Sequence, residues 1–231
     1  LRAISHDLRT PLTAISGNAN NLMANGDSFD EETRRQIYTD IYDDSMWLIN
    51  LVENLLSVTR LEEGKMNLSF TAELMDEVVA EALRHINRKK IEHVITTDIE
   101  DFLFARMDAR LIVQVIINIV ENAIKYTPPG SHIRIAADRE GDRVRVRISD
   151  DGPGIPDEVK PRVFDMFYTG TNRIADSRRS LGLGLALCKS ILDAHRGEIS
   201  VSDNVPGGSV FTFTLPVSEV TIHESTLDPG R

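Results

Sequence analysis

The chain holds one cysteine, Cys188, in 231 residues. A lone cysteine rules out an internal disulfide framework and a cysteine-based zinc site, and it fits a reducing compartment. No apolar run approaches the roughly 20 residues needed to span a bilayer. A signal peptide is missing too, since there is neither a basic start nor an apolar stretch behind it. The sequence opens at Leu1 without an initiator Met, in what reads as mid-helix, so a fragment of a longer protein is expected. Positive charge is in deficit: 26 Lys and Arg stand against 36 Asp and Glu, for a net −10. That balance argues against nonspecific nucleic-acid binding. The acidity is spread along the chain, with 6 basic and 11 acidic residues in 1–65 and the same excess of five in the rest. It reads as a solvated surface rather than a tail or patch. His85, His93, His132, His195 and His223 show no metal-ligand spacing and are expected to be surface or structural.

Residues 1–65 look entirely helical. Leu1, Ser5, Leu8, Leu12, Ile15, Ala19 and Leu22 recur at steps of three and four, the a/d seam of a coiled coil. Asn25, Gly26 and Asp27 interrupt it. A second seam runs through Ile37, Ile41, Asp44, Leu48, Leu51, Leu55 and Val58 and stops near Gly64. Two helices with such narrow stripes bury little by themselves. A homodimer through residues 1–65, closing a four-helix bundle, is the physical expectation, with Trp47 packed on it.

Beyond Gly64 the period changes. Helices are expected over Met75–Ile86, from an N-cap at Asp108 to about Tyr126, and over Leu183–His195. Strands are expected over Val94–Asp98, Phe102–Met107, Ile133–Ala137, Arg143–Ser149 and Val210–Leu215. Within Arg143–Ser149, Val144, Val146 and Ile148 share one face and Arg143, Arg145 and Arg147 the other. The central helix should pack Val113, Ile117, Val120 and Ile124 on the sheet. Mixed strands and helices with one polar sheet face predict a two-layer α/β sandwich over 66–217. Residues 218–231 carry little pattern and read as a tail.

Four groups of residues carry chemistry. In Ser5-His6-Asp7-Leu8-Arg9-Thr10-Pro11-Leu12-Thr13, His6 lies off the apolar seam. A lone exposed histidine on a helix is ordinarily just surface, but imidazole is a competent nucleophile near neutral pH, and Asp7 can take or orient its proton. Pro11 sits inside the helix at a cost of about 3 kcal/mol and removes the bond to the Asp7 carbonyl. The second group is Asn118, Asn122, Lys125 and Tyr126, which share a helix face. Two amide oxygens and an ammonium suit a metal-bound triphosphate, with Asn122 the ligand candidate for Mg²⁺ and Lys125 a phosphate partner. Third comes Asp150-Asp151-Gly152-Pro153-Gly154, directly after a strand, where an ionised Asp150 can accept from an exocyclic amine such as that of adenine. Fourth, Gly182, Leu183, Gly184 and Leu185 open a helix whose free N–H groups suit phosphate. Between the last two lies a polar stretch, Thr169–Ser180, that reads as a mobile lid whose Arg178 and Arg179 reach terminal phosphates.

In order and spacing these segments resemble the sensor histidine kinases of two-component signalling. SHDLRTPLT is similar to their H box, NIVENAIKY to the N box, DDGPGIP to the G1 box, VFDMFY to the F box and LGLGLAL to the G2 box. The resemblance covers about residues 1–217. It implies an all-α helical hairpin (a dimeric four-helix bundle) for 1–65, followed by an α/β two-layer sandwich of the Bergerat type. It also implies ATP and Mg²⁺ as cofactors, phosphorylation of His6 assisted by Asp7, and transfer to the receiver domain of a response regulator. Thr10 matches the position that orients water for phosphatase action. Asn118, Asn122, Lys125 and Tyr126 would hold Mg²⁺ and phosphates. Asp150 would read adenine beside Gly152 and Gly154, and Gly182 and Gly184 would meet phosphates under the lid. Three departures stand out: Ser177–Leu181 lacks extra glycines, His195-Arg196-Gly197 replaces His-Gly-Gly, and Asp151 stands where Asn is frequent. The segments AISGNANNLM and SRRSLGLGLALCKSIL further resemble the KdpD-type members that control potassium uptake. The implied setting is the cytoplasmic region of an inner-membrane sensor, joined to the membrane only through an N-terminal part not in this sequence. No P-loop and no His-Arg-Asp or Asp-Phe-Gly set is present. Gyrase and chaperone-like ATPases share the Bergerat pocket but phosphorylate no histidine.

Overall fold

The computed structural model describes residues 2–86, 92–168 and 182–218, with side chains from Leu8 onward. The first seam forms α1 (Arg2–Asn25), and Pro11 lies inside this one continuous helix rather than at its start. A short turn at Gly26–Ser28 leads to α2 (Glu31–Glu62). Asp30 caps α2 by accepting from the Thr33 N–H at 2.6 Å, with Glu31 and Glu32 complementing the helix dipole. Gly64, at φ +64°, closes the far end in a Schellman pattern: Lys65 N–H reaches Arg60 O and Gly64 N–H reaches Leu61 O.

The two seams face each other. Leu8, Ile15, Ala19 and Leu22 on α1 and Ile37, Ile41, Leu48 and Leu55 on α2 are half-buried, while Leu51 is buried. Leu12, a seam position, stays 55% exposed. A second apolar row also lies uncovered along α2: Tyr38, Tyr42, Met46, Ile49, Val52 and Leu56. The last turns of α2 rest on the following domain, where Val58 joins its core and packs with α5.

That domain has seven strands and three helices, with five of the strands in its main sheet and two in a small one. Its elements are β1 (Thr71–Leu74), α3 (Met75–His85), β2 (Val94–Ile99), β3 (Phe104–Met107), α4 (Ala109–Tyr126), β4 (His132–Glu140), β5 (Arg143–Asp150), α5 (Gly184–Ala194), β6 (Ile199–Asp203) and β7 (Ser209–Pro216). The sheet order is β2-β4-β5-β7-β6, parallel only between β2 and β4, and β1 pairs with β3 alone. Ile133 and Ile135, Val144, Val146 and Ile148, and Phe211, Phe213 and Leu215 point into the core with α3, α4 and α5. The opposite face is charged. Arg145 bridges Asp138 and Glu140, Arg147 shares Asp138, and Arg134 pairs with Asp98. The expected helical hairpin and two-layer α/β sandwich are both present.

Several details differ from expectation. The buried stripe of α4 is Ile112, Val115, Ile116, Ile119, Val120 and Ala123; Val113, Ile117 and Ile124 are its half-buried flanks. The stripe is turned because α4 packs against its neighbour α5 as well as on the sheet, so its apolar arc faces both. Asp108 occupies the N-cap position, but its carboxylate accepts from the Ser69 N–H at 3.1 Å and pairs with Arg110. β3 starts at Phe104 because Phe102, at φ +56°, sits in a turn. β1 and β6, four and five residues long, were too short to stand out as periodic segments. Ser218 is still tied in, its N–H donating to Phe104 O; the rest of the expected tail lies outside the described residues.

His195 is structural, as expected. It is buried, its Nδ1 lies 2.7 Å from Ile191 O, and its Nε2 accepts from the Asp108 N–H at 3.0 Å. The ring thus joins the end of α5 to the start of α4, with Phe70 edge-on against it. Burial lowers its pKa. Its contribution is complete above the unfolded value of about 6.5. As pH falls below that, the unfolded chain takes up a proton that the folded ring refuses, and stability drops. Denaturation in urea should therefore show a decline below about pH 6.5 that is reduced in His195→Gln. An equal slope in both proteins would remove His195 as its source.

Candidate active site

Asp150 ends β5 and is buried. Its Oδ1 accepts two backbone N–H groups, from Gly152 at 3.0 Å and Ser209 at 3.2 Å. Among the described residues nothing donates to Oδ2. Burial raises the pKa of this carboxyl, and the charge of Asp151 adds to the rise, while the two N–H bonds oppose it. Asp151 itself faces outward and takes the His132 N–H at 2.9 Å, which chiefly lowers its pKa.

The turn after Asp150 is held by close approaches that only glycine allows. A Cβ on Gly152 would lie 2.5 Å from Thr127 Cγ2. Gly154, at φ +76°, comes against Gly208 O. Gly208, at φ +107°, lies so near that a Cβ there would be 1.9 Å from Asp150 O. Asn204 Nδ2 donates to the same carbonyl at 2.7 Å. The β6–β7 turn is thus the buttress of the Asp150 loop. Sequence reasoning missed Asn204, Gly208 and Ser209, although Gly207-Gly208 before a strand is a turn signal that could have exposed them.

Across from this loop runs α4. Asn118 is half-buried and committed to the fold: its Nδ2 donates to Gly184 O at 3.3 Å, and its Oδ1 accepts from Gln114 Nε2 at 3.0 Å. Asn122, one turn on, is half-buried, and Lys125 and Tyr126 are exposed at the helix end. The Lys125 ammonium lies 5.7 Å from the Tyr126 ring centre. α5 starts at Gly184 beneath Asn118, with Leu183 buried and the first helical bond from Leu187 N–H to Leu183 O. By helix geometry the N–H groups of Gly184, Leu185 and Ala186 precede that bond. Cys188 is a core residue, as expected. It lies beside Asn118 and Val115 O, and burial pushes its thiol up to about 12.

Gly182, at φ +61°, meets Tyr168: a Cβ there would be 2.3 Å from Tyr168 O, and Phe167 N–H donates to Gly182 O. Arg162 stacks on the Tyr168 ring at 4.5 Å, and Phe164 packs edge-on against Phe211. The expected lid with Arg178 and Arg179 lies outside the described residues, as do the side chains of His6 and Asp7. Their backbone belongs to α1, with Thr10 exposed one turn later and Pro11 buried. Asn118 thus lies against Gly184 at the start of α5, and Thr127, just past the end of α4, lies against Gly152 of the Asp150 loop, so α4 links these two segments.

Among the described residues no cluster of three His, Cys, Asp or Glu side chains could hold a metal unaided. The donor set does fit Mg²⁺ arriving with phosphates, since that ion takes few protein oxygens and keeps phosphate and water ligands. With the Asn118 oxygen already engaged, the Asn122 amide oxygen is the donor left on this face.

Residues 107–219 match the family described as histidine kinase-, DNA gyrase B-, and HSP90-like ATPase, and residues 1–64 match the His kinase A phosphoacceptor domain. The chain is 43% identical over 217 residues to sensor protein KdpD of Clostridium acetobutylicum, covering 94% of this chain and 24% of that protein. It thus spans about a quarter of the length of this relative. Acinetobacter baumannii histidine kinase AdeS superposes with a TM-score of 0.75 at 26% identity, over 93% of this chain and 98% of that one. Histidine kinase ThkA, solved with the response regulator TrrA, gives 0.71 at 28% identity, over 94% and 60%. No described helix is long and apolar enough to cross a membrane.

Proposed function

The chain belongs to the sensor histidine kinases, and from that premise we propose that it moves the γ-phosphoryl group of ATP onto His6 and then to an aspartate of a response-regulator receiver domain. The observation that carries the nucleotide half is the Asp150 carboxylate. Two backbone N–H groups hold one oxygen, and the other remains for an exocyclic amine. Gly184, at the start of α5, and Asn122 are assigned to the phosphate side, where Lys125 would add positive charge. Mg²⁺ on Asn122 and phosphate oxygens would offset charge on the group in transfer. A ring nitrogen of His6 forms the P–N bond as the bond to the ADP oxygen breaks, and Asp7 holds the ring proton. Thr10, one turn along α1, orients water for the reverse task of stripping phosphate from the partner. ATP chemistry of this kind takes place in the cytoplasm. The identity to KdpD favours the potassium-uptake branch.

The uncovered row on α2, with Leu12 on α1, is read as the seam of a homodimeric four-helix bundle. Val52→Asp with Leu56→Asp should convert dimer to monomer in sedimentation; a dimer that survives both charges would place the seam elsewhere. For the reaction itself, γ-labelled ATP should label the protein. His6→Ala should abolish the label while ATP binding is kept, and Asn122→Ala should abolish it from the other side. Label retained in His6→Ala would overturn the assignment.

A further inference from the structure

We propose that His93 is a positioning residue for base recognition, acting through Thr127 on the Asp150 loop; this rests on the reading of Asp150 as the adenine acceptor. His93 precedes β2, and its Nε2 lies 2.9 Å from Thr127 Oγ1. The Thr127 hydroxyl lies 2.7 Å from Ala123 O, a carbonyl that can only accept, so its proton goes there. Thr127 therefore accepts from His93, and Nε2 carries a proton. The other ring nitrogen, Nδ1, is buried without a hydrogen-bond partner. The bond to Thr127 is thus the polar anchor of a ring whose other nitrogen is left unsatisfied at a cost in stability.

The backbone holds this ring in register. Glu92 O accepts from Gly130 N–H at 2.8 Å, and Val94 N–H donates to Ser131 O at 3.0 Å. His93 is therefore bracketed by the segment that follows Thr127. The next link is steric. Thr127 Cγ2 fills the space a Cβ on Gly152 would need, so its rotamer sets how closely the Gly152 turn can seat. The last link is the Gly152 N–H on Asp150 Oδ1. His93 fixes the Thr127 rotamer, Thr127 seats Gly152, and Gly152 aims Oδ2 at the base. The relay ends on the base and leaves the phosphate side alone, which distinguishes it from a general packing role.

The test compares calorimetric binding of Mg-ATP with that of Mg-purine riboside 5′-triphosphate, which lacks the exocyclic amine. The wild-type chain should prefer ATP roughly tenfold or more, as expected for a hydrogen bond to a charged group. His93→Ala should reduce that preference by at least about threefold, acting on ATP rather than on the analogue. His93→Gln should restore it, because its amide can donate to Thr127. Should His93→Ala fold poorly, Thr127→Val, which keeps the methyl and removes the acceptor, should compress the preference in the same way. An unaltered preference in His93→Ala, or equal loss of both nucleotides without rescue by Gln, would overturn the proposal. A wild-type chain that does not discriminate at all would instead overturn the reading of Asp150.

Discussion

Asp150→Asn should weaken ATP binding by roughly 10–100-fold and turn the base preference around, so that inosine triphosphate binds better than ATP. The side chain keeps its shape, and its Oδ1 still accepts from Gly152 and Ser209. Those two donors dictate the amide's orientation, because turning the NH₂ toward them would set donor against donor in a buried place. The NH₂ is therefore forced into the position of Oδ2. There it faces the exocyclic amine of adenine as a second donor, whereas the carbonyl of hypoxanthine would accept from it. Calorimetry with the two nucleotides measures this directly. A uniform loss for both would mean that Asp150 only shapes the loop.

Gly208→Val should remove ATP binding beyond detection and lower stability by about 2–4 kcal/mol, although the residue never faces the nucleotide. Its φ of +107° strains any L side chain, and its Cβ would fall 1.9 Å from Asp150 O and 2.9 Å from Asp151 Cα. Backbone cannot step aside as a flexible side chain can, so the strand end bearing Asp150 must move. The neighbouring glycine supplies the control. A Cβ on Gly207 would come no nearer than 3.8 Å to Gly152 O, so Gly207→Ala should change stability by no more than about 0.5–1 kcal/mol and leave binding intact. Urea midpoints with nucleotide binding separate the two; similar losses in both would show that the turn needs flexibility rather than this close approach.

Much of this was legible in residues with strong periodicity or unusual chemistry. The seams of α1 and α2, the alternation of β5, and the Asp150 and Gly182 segments all announce themselves by spacing or by glycine. What stayed hidden arises from the tertiary contact. Asn118 and Asn122 look equivalent along the helix, yet α5 packs against the first and engages its amide through Gly184 O. The arc of α4 turns because two elements share it, which a one-sided helical wheel cannot reveal. Asn204, Gly208 and Ser209 lie over 50 residues from Asp150, and only the pairing of β5 with β7 brings them to it. His93 is an ordinary loop histidine until Thr127 is placed beside it. The second apolar row on α2 was missed because Tyr38, Tyr42 and Met46 interleave with the first seam.

The γ-phosphoryl group of ATP should end on His6. Tryptic cleavage after Arg2 and Arg9 isolates residues 3–9, which contain His6 and one competing hydroxyl, Ser5. Mass spectrometry of that peptide after incubation with Mg-ATP should find one added phosphoryl group, lost in acid and stable in base, as a phosphoramidate is. An acid-stable phosphoryl group on Ser5, or steady release of inorganic phosphate with peptide 3–9 unmodified in the manner of a clamp-type ATPase, would contradict it.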